Sequence, residues 1–239
     1  MHVFAVIVLI IFDISTAFAG SWFVSDNTVS TGKIIINGKE VGGEHFSIKG
    51  SGVKQTIERK IENFSSLNSR GGFDIKYRQG PLSLVITADD NLVNKVVTEV
   101  VGHTLYISME QSYSSRNPII VIVSSPEIES MDINGTSNVA LDAIATKQLK
   151  LKVMGAVDLY ANGNASVLDL NIHGTSDVKM KSLDSDFVTV NLQGSGNVEL
   201  TAHKELKAKV SGVGDILFFV KPTKISKQIS GVGDIVAGE

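Results

Sequence analysis

The sequence contains no cysteine, which excludes disulfide bonds and thiolate metal sites. Aromatic residues make up only 6% of the chain and prolines number four. The formal net charge is −3 at pH 7, so the chain lacks the basic surface that nucleic acids and anionic membranes attract. The absence of free thiols fits an oxidising compartment. We therefore expect no nucleic-acid partner.

Long apolar runs are also scarce, and the one at the N-terminus is short. Val3 to Phe12 is apolar, Asp13 ends the run, and Ala17-Phe18-Ala19 is a small-x-small cleavage site. A membrane-spanning helix needs about 20 residues, so we predict a cleaved signal peptide at residues 1–19. The alternative is an uncleaved anchor, because no lysine or arginine precedes the run. After cleavage we expect no integral membrane span and a periplasmic, cell-surface or extracellular location.

One short motif occurs six times in the second half of the chain. Each copy has an apolar residue, a glycine two positions later, and Asn or Asp three positions after that glycine. Successive glycines are 20, 19, 20, 18 and 19 residues apart, and a fixed period near 19 indicates a repeat architecture. The six glycines are Gly135, Gly155, Gly174, Gly194, Gly212 and Gly231.

Apolar and polar residues alternate on both sides of each glycine, so each copy is predicted to be a strand, a corner and a second strand. One copy alone has an uncovered apolar face, whereas stacked copies form one core. The pattern favours an all-β fold, namely a right-handed parallel β-helix (solenoid) with about 19 residues per coil. The alternative is an antiparallel meander of hairpins.

The Asn or Asp of each copy has two interpretations. A ladder of acidic side chains can bind calcium, whereas Asn and Asp also stabilise tight corners through bonds to nearby backbone. We interpret the column as corner residues, because it contains neutral Asn and the period is about twice that of calcium-binding nonapeptide repeats. We predict no metal and no cofactor. The column is Asn138, Asp158, Asp177, Asn197, Asp215 and Asp234.

The first half of the chain is less regular. Residues 20–45 form a lead-in segment with one short strand at Lys33–Asn37. Residues 46–239 are predicted to be one domain, with an N-terminal β part at 46–127 and the six-copy repeat at 128–239. The N-terminal part is expected to contain strands and one short helix near Asn91–Val97.

Four segments together resemble the head GIN domain of putative auto-transporter adhesins, a family of secreted bacterial β proteins. They are Gly71-Gly-Phe-Asp74, Ala88-Asp-Asp-Asn-Leu92, Ser125-Pro-Glu-Ile128 and the Gly-x-Gly-Asn/Asp corners. The resemblance covers about residues 46–239, although the copies at Gly135 and Gly155 lack the second corner glycine. It implies right-handed β-helix character, export, a cell-surface or periplasmic setting and no known catalytic residues.

Candidate catalytic residues are few. None of the five histidines, His173 included, has a second histidine at metal-ligand spacing. Gly50-Ser51-Gly52 and Gly194-Ser195-Gly196 are predicted to be turns, since no nucleophile motif is present. Asp184 and Asp186 could form a pair of carboxylates for sugar cleavage, but we interpret them as solvated loop residues. We therefore predict no catalytic residue, and the sequence leaves the binding residues unknown.

The favoured function is that of an exported, non-enzymatic β-solenoid, adhesin-like or envelope-associated, which binds an unknown surface glycan or protein or has a structural role. The alternative is a carbohydrate-active β-helix that acts on or binds polysaccharide. The repeat half contains few aromatic residues, which favours protein contact or a structural role; they are Tyr160, Phe187, Phe218 and Phe219. We also hypothesise that another chain, as in a homo-oligomer, or the N-terminal half covers the C-terminal coil.

Overall fold

The computed structural model describes residues 47–238, and for residues 29–30, 33–36 and 39–40 it describes the backbone alone. The chain divides into two units after residue 46. In the first unit, β1 (Val29–Ser30), β2 (Lys33–Ile36) and β3 (Lys39–Glu40) pair antiparallel, and β2 confirms the short strand predicted there. The predicted signal peptide, residues 1–19, lies outside the described residues.

The second unit is all-β apart from one four-residue helix among its described residues, which confirms the all-β part of the predicted fold class. Its elements are β4 (Ile48–Lys49), β5 (Lys54–Glu58), β6 (Ser66–Gly71), β7 (Asp74–Gln79), β8 (Ser83–Asp89), α1 (Asp90–Val93), β9 (Val96–Val101), β10 (Thr104–Met109), β11 (Tyr113–Ser114), β12 (Ile120–Ser125), β13 (Ser130–Thr175), β14 (Val178–Asp184), β15 (Phe187–Ser195), β16 (Val198–Leu200), β17 (Glu205–Val213), β18 (Ile216–Phe218), β19 (Lys224–Ile229) and β20 (Ile235–Ala237).

The helix differs from its prediction near Asn91–Val97. It begins at Asp90 and ends at Val93, and Val96 and Val97 instead belong to β9. The Lys95 amide donates to the Leu92 carbonyl, which closes a turn and redirects the chain. The two adjacent valines favour the strand because β-branched side chains pack well on a pleated surface.

The repeats pair side by side as parallel strands. Leu170 of β13 lies opposite Val190 of β15, and Val190 lies opposite Ala208 of β17. On the other side of the corner, β14 pairs with β16, β16 with β18 and β18 with β20, all parallel. The antiparallel meander is therefore wrong for this region. The long strand β13 takes part in both sets of pairs, and it links them into one sheet.

Alternate residues of these strands form a continuous core. The apolar residues two positions before the corner glycines are at most 1% exposed in five copies: Ile133, Val153, Ile172, Leu192 and Val210. Each such burial contributes about 1.5–3 kcal/mol relative to an exposed side chain. The last copy differs, because Ile229 is 44% exposed. Its edge strands, β19 and β20, each pair with one neighbour among the described residues. The cover we predicted for this edge stays a prediction.

A further copy of the motif lies upstream, which the sequence analysis missed. Gly71 pairs with Gly135, and Asp74 pairs with Asn138, in parallel register. Ser69 occupies the core position of this copy and is fully buried, so the apolar pattern is interrupted there. The chain between the two copies forms antiparallel pairs, β9 with β10 and β8 with β12, and β8 also pairs antiparallel with β5, which precedes Gly71. Among the described residues, no helix has the length and apolar character needed to span a membrane.

Candidate functional site

The corners bring neighbouring backbones unusually close together. Gly194 has φ = +133°, and a β-carbon on it would overlap the carbonyl of Gly174 in the adjacent copy. Both features require glycine, because other residues avoid positive φ and would collide with that carbonyl. The close approach to the preceding glycine carbonyl continues through all six corner glycines, and it fixes the register of the residues that follow each corner.

The Asn and Asp side chains after the corners form a hydrogen-bonded ladder. Asn138 Nδ2 donates to Asp74 Oδ1 at 2.8 Å, the Asp215 amide donates to Asn197 Oδ1 at 3.3 Å, and the Asp234 amide donates to Asp215 Oδ1 at 2.8 Å. The last two bonds satisfy backbone donors of one copy with a side chain of the preceding copy, which supports the corner interpretation. No group of three or more His, Asp or Glu side chains in residues 47–238 has the geometry of a metal site.

The ladder is interrupted at Asp158. On one side Asn138 bonds to Asp74, and on the other Asp177 accepts from the Asn197 amide at 3.1 Å. Asp158 lies between these two pairs, and its exposed carboxylate receives no hydrogen bond from the side chains or backbone of the described part of the chain. The backbones of the two acidic residues are adjacent, since the Leu159 amide donates to the Asp177 carbonyl at 2.9 Å. Asp158 and Asp177 are therefore in-register neighbours in successive copies.

A groove of about 360 Å³ opens beside this interruption. Ala140 forms the floor of the groove and lies opposite Lys76 of β7 in the parallel register. Tyr160 lies opposite Lys179 of β14. Alanine is much smaller than lysine and tyrosine, so the surface is lower at this point of the column. We call this depression the corner groove. It is lined by Lys76, Ala140, Tyr160 and Lys179 and by the corner residues Asp74, Asn138, Asp158 and Asp177.

The corner groove coincides with copies that depart from the motif. The copies at Gly135, Gly155 and Gly174 have Ser137, Val157 and Ser176 where the last three copies have a second glycine. A second depression, of about 460 Å³, lies on the other side of the same corners and shares Asp74, Asn138 and Asp158 with the first. Positions at which a repeat departs from its consensus pattern are expected to be functional or strained. The departures at Gly135 and Gly155 are visible in the sequence, but the pattern alone assigns no site to them.

Tyr160 is the residue of the groove that sequence reasoning missed. It was counted among the few aromatic residues, but its position relative to Ala140 depends on how distant strands pair. Its side chain is 44% exposed. The side-chain amide nitrogen of Asn162, which is two residues further along the same strand, lies 3.5 Å from the Tyr160 hydroxyl oxygen. An alanine in an otherwise bulky outward column is the one signal in the sequence that could have indicated a groove.

The residues singled out in the sequence lie elsewhere. His173 is exposed and faces Gln193 in register. Asp184 pairs with His203 at 3.2 Å and Asp186 with Lys204 at 2.9 Å, so each carboxylate has a partner of its own rather than the other carboxylate. Neither lines the corner groove. Ser51 donates its hydroxyl to Asp90, whereas Ser195 is the last residue of β15 rather than part of the predicted turn.

Asp89 forms a second polar cluster, at the end of β8. Its side chain is 1% exposed, with Oδ1 accepting from Asn117 at 2.6 Å and Oδ2 from the Ser115 hydroxyl at 2.7 Å. The hydrogen bonds from Asn117 and Ser115 lower the pKa of the Asp89 carboxyl, and they outweigh the raising effect of burial. A buried carboxylate with these partners is a structural clamp, because its lone pairs already have donors.

Two crystal structures show the same fold. One is a putative adhesin from Bacteroides fragilis, with a TM-score of 0.67 and 23% identity over 80% of this chain and all of that one. The other is a putative adhesin from Parabacteroides distasonis, with a TM-score of 0.52 and 18% identity over 80% of this chain and all of that one. These identities show the fold alone. Comparison with curated proteins gives no significant match.

The sequence match to a family is more specific. Residues 63–222 match the family described as putative auto-transporter adhesin, head GIN domain. The matched range contains the Gly71 segment, the Ala88–Leu92 helix start, the Ser125–Ile128 segment and the corner glycines up to Gly212, which carried the resemblance. It also includes every residue that lines the corner groove. The chain therefore belongs to the head GIN domain family of putative auto-transporter adhesins.

Proposed function

We propose that this chain is an exported, non-enzymatic, adhesin-like binding protein of the bacterial envelope. The observation that carries this proposal is the corner groove, where an exposed tyrosine and a free carboxylate lie on an otherwise repetitive face. Family membership supports the adhesin-like role. The predicted signal peptide and the absence of cysteine support export, and we leave open whether the location is periplasmic, cell-surface or extracellular.

We further propose that the repeats wind as a right-handed parallel β-helix with about 19 residues per coil. Hydrogen bonds between neighbouring copies span 18, 19 and 20 residues, which supports this coil length. Right-handed winding is supported by the general preference of parallel crossover connections. Such a solenoid presents a rigid, regular surface on which a binding groove keeps its shape.

The carbohydrate-active alternative receives less support from the geometry. Glycosidases place two carboxylates on opposite sides of the scissile bond, about 5–9.5 Å apart. In the corner groove, Asp74 and Asp177 accept hydrogen bonds from Asn138 and Asn197, and Asp158 and Asp177 occupy the same corner position in successive copies. Asp184 and Asp186 are engaged by His203 and Lys204. The groove is therefore better suited to binding than to hydrolysis.

Fractionation and adhesion assays in the native host test this proposal. We expect the chain to appear in an exported fraction with Gly20 as its first residue. We expect a deletion strain to adhere less than the parent strain, and complementation to restore adhesion. A chain confined to the cytoplasm, with unchanged adhesion, would refute the proposal. Release of reducing ends from a polysaccharide panel by the purified chain would refute the non-enzymatic part.

A further inference from the structure

We propose that the corner groove binds a neutral pyranose unit of a glycan, with the sugar ring against Tyr160 and its hydroxyls bonded to Asp158. This inference rests on the proposed binding function and assigns a ligand class to it. Three features of the groove carry it: an aromatic face, an unpaired acceptor and a size that fits a small ligand.

The ring of Tyr160 is accessible because its neighbour in the outward column, Ala140, has a small side chain. Ala140 lies in the neighbouring strand of the same outward column, and neighbouring strands are about 4.8 Å apart. A methyl group at this distance leaves the flank of Tyr160 open. The contact between the Tyr160 hydroxyl and the Asn162 side chain directs the ring along its own strand rather than across Ala140, and Tyr160 is 44% exposed. The C–H face of a pyranose stacks on such a surface, since the aromatic face is electron-rich.

The acceptor for the sugar hydroxyls is the Asp158 carboxylate. Asp158 precedes Tyr160 by two residues, and residues two apart on a strand point to the same side. Its carboxylate lacks a donor among residues 47–238, and Asp177 beside it is also negative. A pyranose supplies adjacent hydroxyl donors, which can bridge two neighbouring carboxylates and offset their repulsion.

The charges of the lining favour a neutral ligand. Three carboxylates, those of Asp74, Asp158 and Asp177, and two ammonium groups, those of Lys76 and Lys179, line the groove. The two lysines are at the rim, where they can donate to ring or hydroxyl oxygens. The carboxylates next to Tyr160 would repel the acidic group of a uronic or sialic acid. Neutral hexoses and N-acetylhexosamines meet donors and acceptors without this repulsion.

The size of the groove also fits a small saccharide. Its volume of about 360 Å³ is at the lower end of the range for small-molecule sites, roughly 300–1,000 Å³. It lies on the face of a sheet, whereas a peptide that adds a strand needs a free sheet edge. The groove therefore matches one or two sugar units that protrude from a larger glycan.

A glycan array followed by titration tests the assignment. The purified mature chain is applied to an array of neutral and acidic glycans, and the methyl glycosides of the sugars found there are titrated by NMR. We expect binding to glycans with neutral terminal sugars. Tyr160→Ala and Asp158→Asn should each weaken binding at least about tenfold, whereas Tyr160→Phe, which keeps the ring, should remain within about threefold.

Two variants serve as matched controls. Phe187→Ala removes an aromatic side chain that is 43% exposed but lies outside the groove. Asp234→Asn changes the same corner column at its far end. Both should bind like the unmodified chain, and chemical-shift changes should include Ala140. Binding that is insensitive to Tyr160→Ala, or restricted to acidic glycans, would overturn the inference.

The outcome also separates this inference from the function on which it rests. If the chain is exported and supports adhesion but binds no neutral glycan, the ligand class is wrong and the adhesin-like role stands. If deletion leaves adhesion unchanged and the chain is not exported, the proposed function itself fails.

Discussion

Gly50 lies directly against the carboxylate of Asp89, so closely that a β-carbon on Gly50 would overlap Oδ2. The same carboxylate accepts hydrogen bonds from Ser115 and Asn117. One buried side chain thus connects three segments that are distant in sequence: the β4–β5 connection, the end of β8 and the loop after β11. This arrangement gives a structural reason for the Ala88–Leu92 motif that contributed to the family resemblance.

The Asp89 clamp predicts a pH-dependent stability. Asn117 and Ser115 hold the pKa of Asp89 below its ordinary value of 3.8 in the folded state. A lowered folded-state pKa stabilises the fold above the unfolded-state value, and this contribution is lost as the pH falls through the lower folded-state pKa. Asp89→Asn should therefore lower the unfolding free energy at neutral pH, and the difference from the unmodified chain should shrink below about pH 4.

Urea unfolding at neutral and acidic pH measures this difference. Asp234→Asn is the control, because the corner column already contains Asn in other copies and Asp234 is exposed. A constant difference between the unmodified chain and Asp89→Asn across the acidic range would contradict the linkage.

The close packing at the corner glycines predicts that replacing one of them with alanine strongly lowers the free energy of unfolding. Gly194→Ala forces a residue with a β-carbon into φ = +133° and against the Gly174 carbonyl. We expect this variant to lose more than about 2 kcal/mol of unfolding free energy. Gly80→Ala is the matched control, since a β-carbon there meets no atom within 4 Å. Chemical denaturation compares the two, and equal stabilities would show that the corners relax without strain.

The hydrogen-bonded ladder predicts that a negative charge at position 138 lowers the stability of the fold. Asn138 donates to Asp74 at 2.8 Å, so Asn138→Asp would replace a hydrogen bond with two adjacent carboxylates. We expect a loss of about 1 kcal/mol at neutral pH, decreasing in acid as protonation of one carboxylate removes the repulsion. Asn134→Asp is the control, because its register partner is Arg70. Thermal unfolding at two pH values distinguishes the variants, and equal losses in both would contradict the charge argument.

The hydrogen bonds of Arg59 predict that replacing this arginine with lysine lowers the free energy of unfolding. Its Nη1 donates to the Val96 carbonyl and, at 2.8 Å, to the Thr98 hydroxyl, and its Nη2 donates to the Val93 carbonyl at 3.1 Å. Lysine cannot reproduce this fork. We expect Arg59→Lys to cost about 1–2 kcal/mol of unfolding free energy. Lys60→Ala, at the exposed next position, should change it by less than about 0.5 kcal/mol. Similar effects in the two variants would show that the fork contributes little.

The local pattern of the sequence determined the secondary structure of the repeats. Alternation around Gly135 to Gly231 indicates strands, and the Gly-to-Asn/Asp spacing indicates corners, because both are consequences of side-chain direction and backbone conformation within a few residues. The same segments determined the family. Sequence reasoning did not recover the copy at Gly71, since Ser69 breaks the apolar column there and a long insertion separates it from Gly135.

Only the tertiary structure decided which strands are neighbours and where the surface is open. Parallel pairing joins residues of successive copies, and no local pattern distinguishes it fully from hairpins. The corner groove exists because Ala140 stands between Lys76 and Tyr160. Within residues 47–238 Asp158 has no hydrogen-bond donor, because the hydrogen bonds of Asn138 and Asp177 are directed to other neighbours. These are relationships between side chains on different strands, which the fold creates and the order of residues along the chain does not display.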